Sequence, residues 1–132
     1  MSDSSRLLRL TYVSTSRSLS AAELDRVVAD LRARSAAAGL TGALFYNGLN
    51  FLETLEGDAT GVERAFAQLL PAPYHDGAKT IERYLIDRRH FSGWSFVSRQ
   101  DQAGLLNDAQ SSLPEHLEKL YRSFFKLSGG RP

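Results

Sequence analysis

Apolar residues alternate with polar ones, or recur at helical spacing, along most of the chain. Residues 7–13, LLRLTYV, are apolar and β-prone and predict a first strand. Alternation puts Leu8, Leu10 and Tyr12 on one face and Leu7, Thr11 and Val13 on the other. Ser20 followed by Glu23 has capping-box spacing, and Leu24, Val27, Val28 and Leu31 then recur as one helical stripe. This predicts an amphipathic helix of about 18 residues that closes at Gly39. Residues 40–46 and 51–56 read as two strands, joined through Asn47-Gly48, the strongest short hairpin signal. Thr60 and Glu63 form a second capping box, opening a helix with Val62, Phe66 and Leu69 on one face. Pro71 and Pro73 end it, so 71–78 is expected to be a loop. Strands at about 79–87 and 94–99 follow. A polar segment, 100–111, then leads to a last helix opened by Ser112 and Glu115 and closed at Gly129-Gly130.

The order β-α-β-β-α-β-β-α predicts an α+β fold: a ferredoxin-like sandwich with a five-stranded mixed sheet. Two helices cover one face, and the first and third strands are expected to be parallel neighbours. The C-terminal helix carries Leu117, Leu120, Tyr121, Phe124 and Phe125 and is the natural cover for the other face. The expected division is residues 1–99 as the sandwich and 100–132 as a linker and docking helix, in one globular unit.

Composition changes this picture little. A chain of 132 residues can bury a core large enough to fold without disulfides or metal. With 16 Lys+Arg against 15 Asp+Glu, net charge gives no case for nucleic acid or an anionic membrane. Absence of Cys excludes thiol catalysis and Cys-type zinc sites, and His75, His90 and His116 lack metal-ligand spacing. No apolar run has the length of a membrane span, and the polar start lacks a signal core, which makes the cytoplasm the expected location.

Residues that break the pattern are the candidates for chemistry. Glu53 alternates with Phe51 and Leu55 and so shares their face. Either that strand end is wet, or Tyr12 and Glu53 lie side by side in a polar hole. Tyr12 by itself also reads as an ordinary core tyrosine. Arg34 and Ser35 extend the apolar stripe of the first helix. They form a solvated helix end, or Arg34 reaches inward and pairs with Glu53. His75 lies in the expected loop, either solvated or as a ligand contact. Arg88, Arg89 and His90 form a basic run at the end of the fourth strand, as a solvated end or a phosphate site. Trp94 and Phe96 alternate on the last strand as core or cover. There is no nucleotide loop, metalloprotease helix or nucleophile elbow. Arg17 lies where an acyl-phosphate hydrolase would carry its phosphate cradle, but Thr15-Ser-Arg-Ser-Leu lacks the glycines. Nothing argues for an enzyme.

Leu10-Thr-Tyr12-Val-Ser14, Gly39-Leu-Thr-Gly42, Phe51-Leu-Glu-Thr-Leu-Glu56-Gly57 and Arg89-His-Phe91 through Trp94-Ser95 together resemble the BLUF family of flavin-dependent blue-light sensor domains. The resemblance runs from residue 6 to about 98. It implies FAD held between the two helices, with a tyrosine and a glutamine carrying a light-driven hydrogen-bond rearrangement. Tyr12 matches the tyrosine, but Glu53 stands at the glutamine. Arg34 and Ser35 stand at the flavin-holding asparagines, and Phe96 at the methionine two residues after Trp94. Of the Asp-x-Arg-His stretch only His75 remains, and Gln68 replaces a basic residue on the second helix. A carboxylate cannot offer the amide's donor, and Arg34, Phe96 and Tyr74 are larger than what they replace and are expected to fill the cavity that a cofactor would occupy. These departures predict a lost or altered photocycle and weigh against FAD binding, with Arg34 and Glu53 paired where the flavin ring would lie. The chain would then be a regulatory module working through protein contacts. A partner or a second copy would meet the sheet face and C-terminal helix. The alternative is a functional FAD-binding photoreceptor with a non-standard site.

Overall fold

The computed structural model describes residues 6–97 and 113–129. In chain order the elements are β1 (Leu7–Ser16), α1 (Ala21–Ala37), β2 (Thr41–Tyr46), β3 (Asn50–Asp58), α2 (Ala59–Leu69), β4 (His75–Ile86), β5 (Trp94–Val97) and α3 (Glu115–Gly129). The sheet order is β4-β1-β3-β2-β5. This is the expected ferredoxin-like α+β sandwich, with α1 and α2 on one face and α3 on the other. Two expected segments, the polar stretch 100–111 and the Ser112 cap, lie outside the described residues.

The pairing of β1 and β3 corrects one expectation. They are neighbours but antiparallel, with Tyr12 opposite Glu53 and Thr11 opposite Thr54. The crossover through α1 instead leads to β2, and the short hairpin folds β3 back between β1 and β2. A hairpin reverses direction, so β3 cannot run parallel to β1. The parallel pair is β2 with β5.

Local signals explain most of the elements. Ser20 and Glu23 form the reciprocal capping box at α1. Gly39, at φ +70°, ends that helix in the left-handed conformation that glycine adopts without strain. The Asn47 side chain accepts hydrogen bonds from the Leu49 and Asn50 backbone N–H groups and pins the hairpin. The second capping box does not form. The chain enters α2 directly from β3, Asp58 occupies the N-cap position, and no side chain caps the helix there. The expected loop 71–78 is also shorter, because β4 already begins at His75. His75 is 2% exposed. Its Nε2 donates to the Leu69 carbonyl at 2.8 Å, and its Nδ1 shares a hydrogen bond with the Ser14 hydroxyl at 2.7 Å. A buried polar anchor at both ring nitrogens gives β4 an earlier start than the prolines suggest.

The two sheet faces carry different cores. Leu8, Leu10, Tyr12 and Leu55 pack under α2, while Leu44 and Phe51 pack under α1 with Val28 and Leu31. On the opposite face Ala43, Phe45 and Leu52 meet Leu117, Tyr121, Phe124 and Phe125 of α3. Phe45 and Tyr121 stack with ring centroids 4.4 Å apart. Burying each of these large side chains contributes roughly 1.5–3 kcal/mol, so α3 is held by the hydrophobic effect first.

A buried polar network adds specificity to that docking. Arg9 donates from Nε to Glu82 at 2.9 Å, with both side chains 5% exposed. Glu82 also accepts from the Thr11 hydroxyl and meets His116 Nε2 on α3. Burial alone would raise the Glu82 carboxyl, but the hydrogen bonds from Arg9, His116 and Thr11 outweigh it and hold it below the usual range. Thr54 joins Thr11 at 2.9 Å to the Tyr121 hydroxyl at 2.6 Å. Glu56, fully buried, accepts from the backbone N–H groups of His90 and Phe91. Arg89 donates to the Gly39 and Glu56 carbonyls. The basic run 88–90 therefore includes a structural clamp on the connection between β4 and β5.

Candidate functional site

Between α1 and α2, above the centre of the sheet, lies a cavity of about 500 Å³. That is within the roughly 300–1,000 Å³ of small-molecule and cofactor sites. Its apolar walls come from Leu31 on α1, Leu55 on β3 and Leu69 on α2, with small residues such as Ala38 and Ala65 keeping it open. Arg34 and Arg64, one from each helix, stand at the lining, and Glu53 forms part of its floor.

Glu53 reaches the floor because strand alternation gives it the face of Phe51 and Leu55, and all three are buried. The carboxyl is satisfied on both oxygens. The Tyr12 hydroxyl donates to Oε1 at 2.6 Å, and Trp94 Nε1 donates to Oε2 at 2.8 Å. Tyr12 is placed by direct register with Glu53. Trp94 lies beside Gly42 on β5, and its indole reaches across β2. Burial pushes the Glu53 carboxyl up to about 7, although the Tyr12 and Trp94 hydrogen bonds pull the other way. Burial, then the neighbouring Glu53 charge, raises the Tyr12 hydroxyl well above its ordinary value.

The expected pairing of Arg34 with Glu53 does not occur. Arg34 Nε donates to Asp30 Oδ2 at 2.8 Å, one helical turn back, and the Arg34 side chain is 57% exposed. An outward partner four residues away is reached without desolvating the guanidinium, which an inward turn would require. The Asp30–Arg34 spacing was the signal for this outcome. Nor do the large residues fill the space. Tyr74 stacks on His75 with centroids 4.4 Å apart and lies against one wall. Phe96 packs into the core under α1, beside Leu44, which it faces in the sheet register. Thus Glu53, Arg34 and Ser35 line the cavity, Tyr12 and Trp94 join it through Glu53, and His75 and Phe96 are not part of its lining.

Three features escaped the sequence reading. Arg64 lies one turn before Gln68 on the same face of α2, so a basic side chain reaches the cavity from a different position. Trp94 contacts Glu53 rather than only packing. The Tyr74 hydroxyl and Asp58 Oδ1 are buried without a hydrogen-bond partner, and both residues line the cavity. Orphaned polar atoms of this kind mark a place where a ligand group or water completes the set. Among the described residues no group of three metal-ligating side chains occurs, and no helix is long and apolar enough to cross a membrane.

The comparisons with known proteins agree with this architecture. The family profile for sensors of blue light using FAD matches residues 7–97. The photoactivated adenylate cyclase subunit beta of Euglena longa is 29% identical over 126 residues. That match takes in 93% of this chain and 14% of the relative, so the chain spans about one seventh of that protein's length. The dark-state structure of BlrB, a BLUF protein, superposes with a TM-score of 0.74 at 26% identity, over 92% of this chain and 97% of that one. BlrP1 of Klebsiella pneumoniae, solved with FMN and cyclic diGMP, shares the fold with a TM-score of 0.72 at 22% identity, over 93% of this chain and 36% of that one. With the profile covering well over half of its residues, the chain belongs to the BLUF family of blue-light sensors that use FAD.

Proposed function

We propose that the cavity between α1 and α2 is a flavin site, and that the chain is a sensory module whose light response differs from that of its relatives. The open cavity with Glu53 on its floor carries this reading. The apolar walls of Leu31, Leu55 and Leu69 suit the faces of a planar tricyclic ring. Arg34 and Arg64 offer charge to a phosphate, and the Tyr74 hydroxyl and Ser35 offer polar contacts. A bound flavin would supply blue-light absorption. What the chain supplies beneath it is a carboxyl held by two donors, Tyr12 and Trp94. A glutamine there could turn its amide to present a donor or an acceptor, whereas a carboxyl has no amide to turn: ionised it only accepts, and protonated it offers a single O–H. The ordinary amide rearrangement is therefore lost in this chain.

Any signal leaves through protein contacts. The α3 face and the exposed Ile81, Tyr84 and Leu85 of the edge strand β4 are the surfaces we assign to a partner or second copy.

Reconstitution of the purified chain with FAD and with FMN tests this reading. The flavin absorption band should co-elute with the protein. Blue light should leave that band in place in the native chain and produce a reversible red shift in Glu53→Gln. A preparation that takes up neither flavin at any tested pH would overturn the assignment.

A further inference from the structure

Resting on the flavin reading of this cavity, we propose that ligand uptake is coupled to a proton on Glu53, the ligand entering when that side chain is a neutral acid and leaving when it is a carboxylate. Glu53 is 1% exposed and lies beneath the ring-sized space. Each of its oxygens already accepts one hydrogen bond, from Tyr12 and from Trp94. Among the described residues no cation is paired with it. An apolar ring seated above it would remove its remaining access to water, and sealing in an unpaired carboxylate is costly. The neutral acid avoids that cost. It also gains an O–H to donate, which suits a flavin edge made mostly of carbonyl and imine acceptors.

The surrounding charges do not supply a counterion. From α1, Arg34 is committed to Asp30. From α2, Arg64 lines the same cavity, and among the described residues it forms no ion pair with Glu53. From β1 and β5 the facing groups are Tyr12 and Trp94, both neutral donors to Glu53. Next to β4, Tyr74 is pushed up by burial and stays neutral, and His75 is held by Ser14 and the Leu69 carbonyl. The carboxyl titrates at about 7 before any ligand arrives, so the coupling falls within the ordinary pH range.

Riboflavin is the appropriate probe, because it lacks the phosphate that titrates near pH 6. Its dissociation constant for the full chain, measured by quenching of flavin fluorescence, should rise about tenfold from pH 6 to pH 8. In Glu53→Gln it should be flat over the same range. Calorimetry at pH 8 in two buffers of different ionisation enthalpy should show close to one proton taken up per riboflavin. A ligand-free control uses Trp94, the only tryptophan in the chain. Its emission should titrate near pH 7 and lose that transition in Glu53→Gln. Riboflavin binding with a pH-independent constant, or with the same slope in both proteins, overturns the proton coupling while leaving the flavin site intact. Failure to bind at every pH overturns the site itself, and the coupling with it.

Discussion

Replacement of Glu53 by Gln should stabilise the chain by about 3 kcal/mol at pH 8 and leave it nearly unchanged at pH 4.5. The folded carboxyl titrates at about 7, against 4.5 when it is free of burial. Below pH 4.5 it is protonated in both the folded and unfolded chain and contributes no difference. Between 4.5 and 7 the folded chain keeps a proton that the unfolded chain gives up. Stability therefore falls as pH rises, and the loss is complete above 7. Glutamine cannot ionise. Its carbonyl accepts from Trp94, and its amide N–H donates to the Tyr12 oxygen, which exchanges its donor role for that of an acceptor. Urea denaturation of both proteins from pH 4.5 to 8.5 measures the difference directly. Glu82 and Asp76, whose carboxyls lie below the usual range, lose their contribution as pH falls. They are common to both proteins and cancel in the comparison. Equal pH dependence in the two proteins would show that Glu53 does not carry the strain assigned to it.

Replacing Gly42 by Ala should cost more than about 4 kcal/mol, among the most severe single substitutions this chain could suffer. A Cβ built there lies 1.8 Å from the Thr54 carbonyl oxygen and 2.9 Å from its carbon. Both atoms are backbone of β3, so no rotamer relieves the overlap. Gly42 also has φ +151°, a conformation that side chains rarely adopt. Relief requires β2 to move away from β3, and Trp94, the register partner of Gly42 on β5, would move with it. A total stability of about 5–15 kcal/mol leaves little after such a loss. Denaturation midpoints and soluble yield measure it. Gly48→Ala is the control, since nothing lies within 4 Å of its Cβ and only its φ of +94° opposes the change. Its cost should stay near 1–2 kcal/mol. Similar losses at both glycines would refute the steric account.

The two predictions share one part of the sheet, where Gly42 lies beside Leu55 and Trp94, and Glu53 two residues before Leu55. Strand alternation put Glu53 among Phe51 and Leu55, and the register confirms that Tyr12 is its neighbour. Both were readable because a strand's side chains have a period of two whatever surrounds them. The antiparallel pairing of β1 with β3 was less readable, since it depends on which strand the α1 crossover joins. Arg34 shows a different limit. Its position on α1 faces the cavity, yet its guanidinium chose Asp30 and water over a buried carboxylate. That choice weighs two desolvation costs, and a linear pattern carries no measure of them.

The order of elements, the apolar faces of both helix layers and the presence of an acid in a core strand were all written in the linear pattern. Those follow from local periodicity and short-range turn chemistry, which each segment carries within itself. The tertiary structure alone decided that the space above the acid stays open, that Trp94 completes its hydrogen bonds, and that Arg9, Glu82 and Tyr121 join the sheet to α3. Each joins residues from separate elements, and its energy depends on distances and on exclusion of water that exist only once the layers have closed.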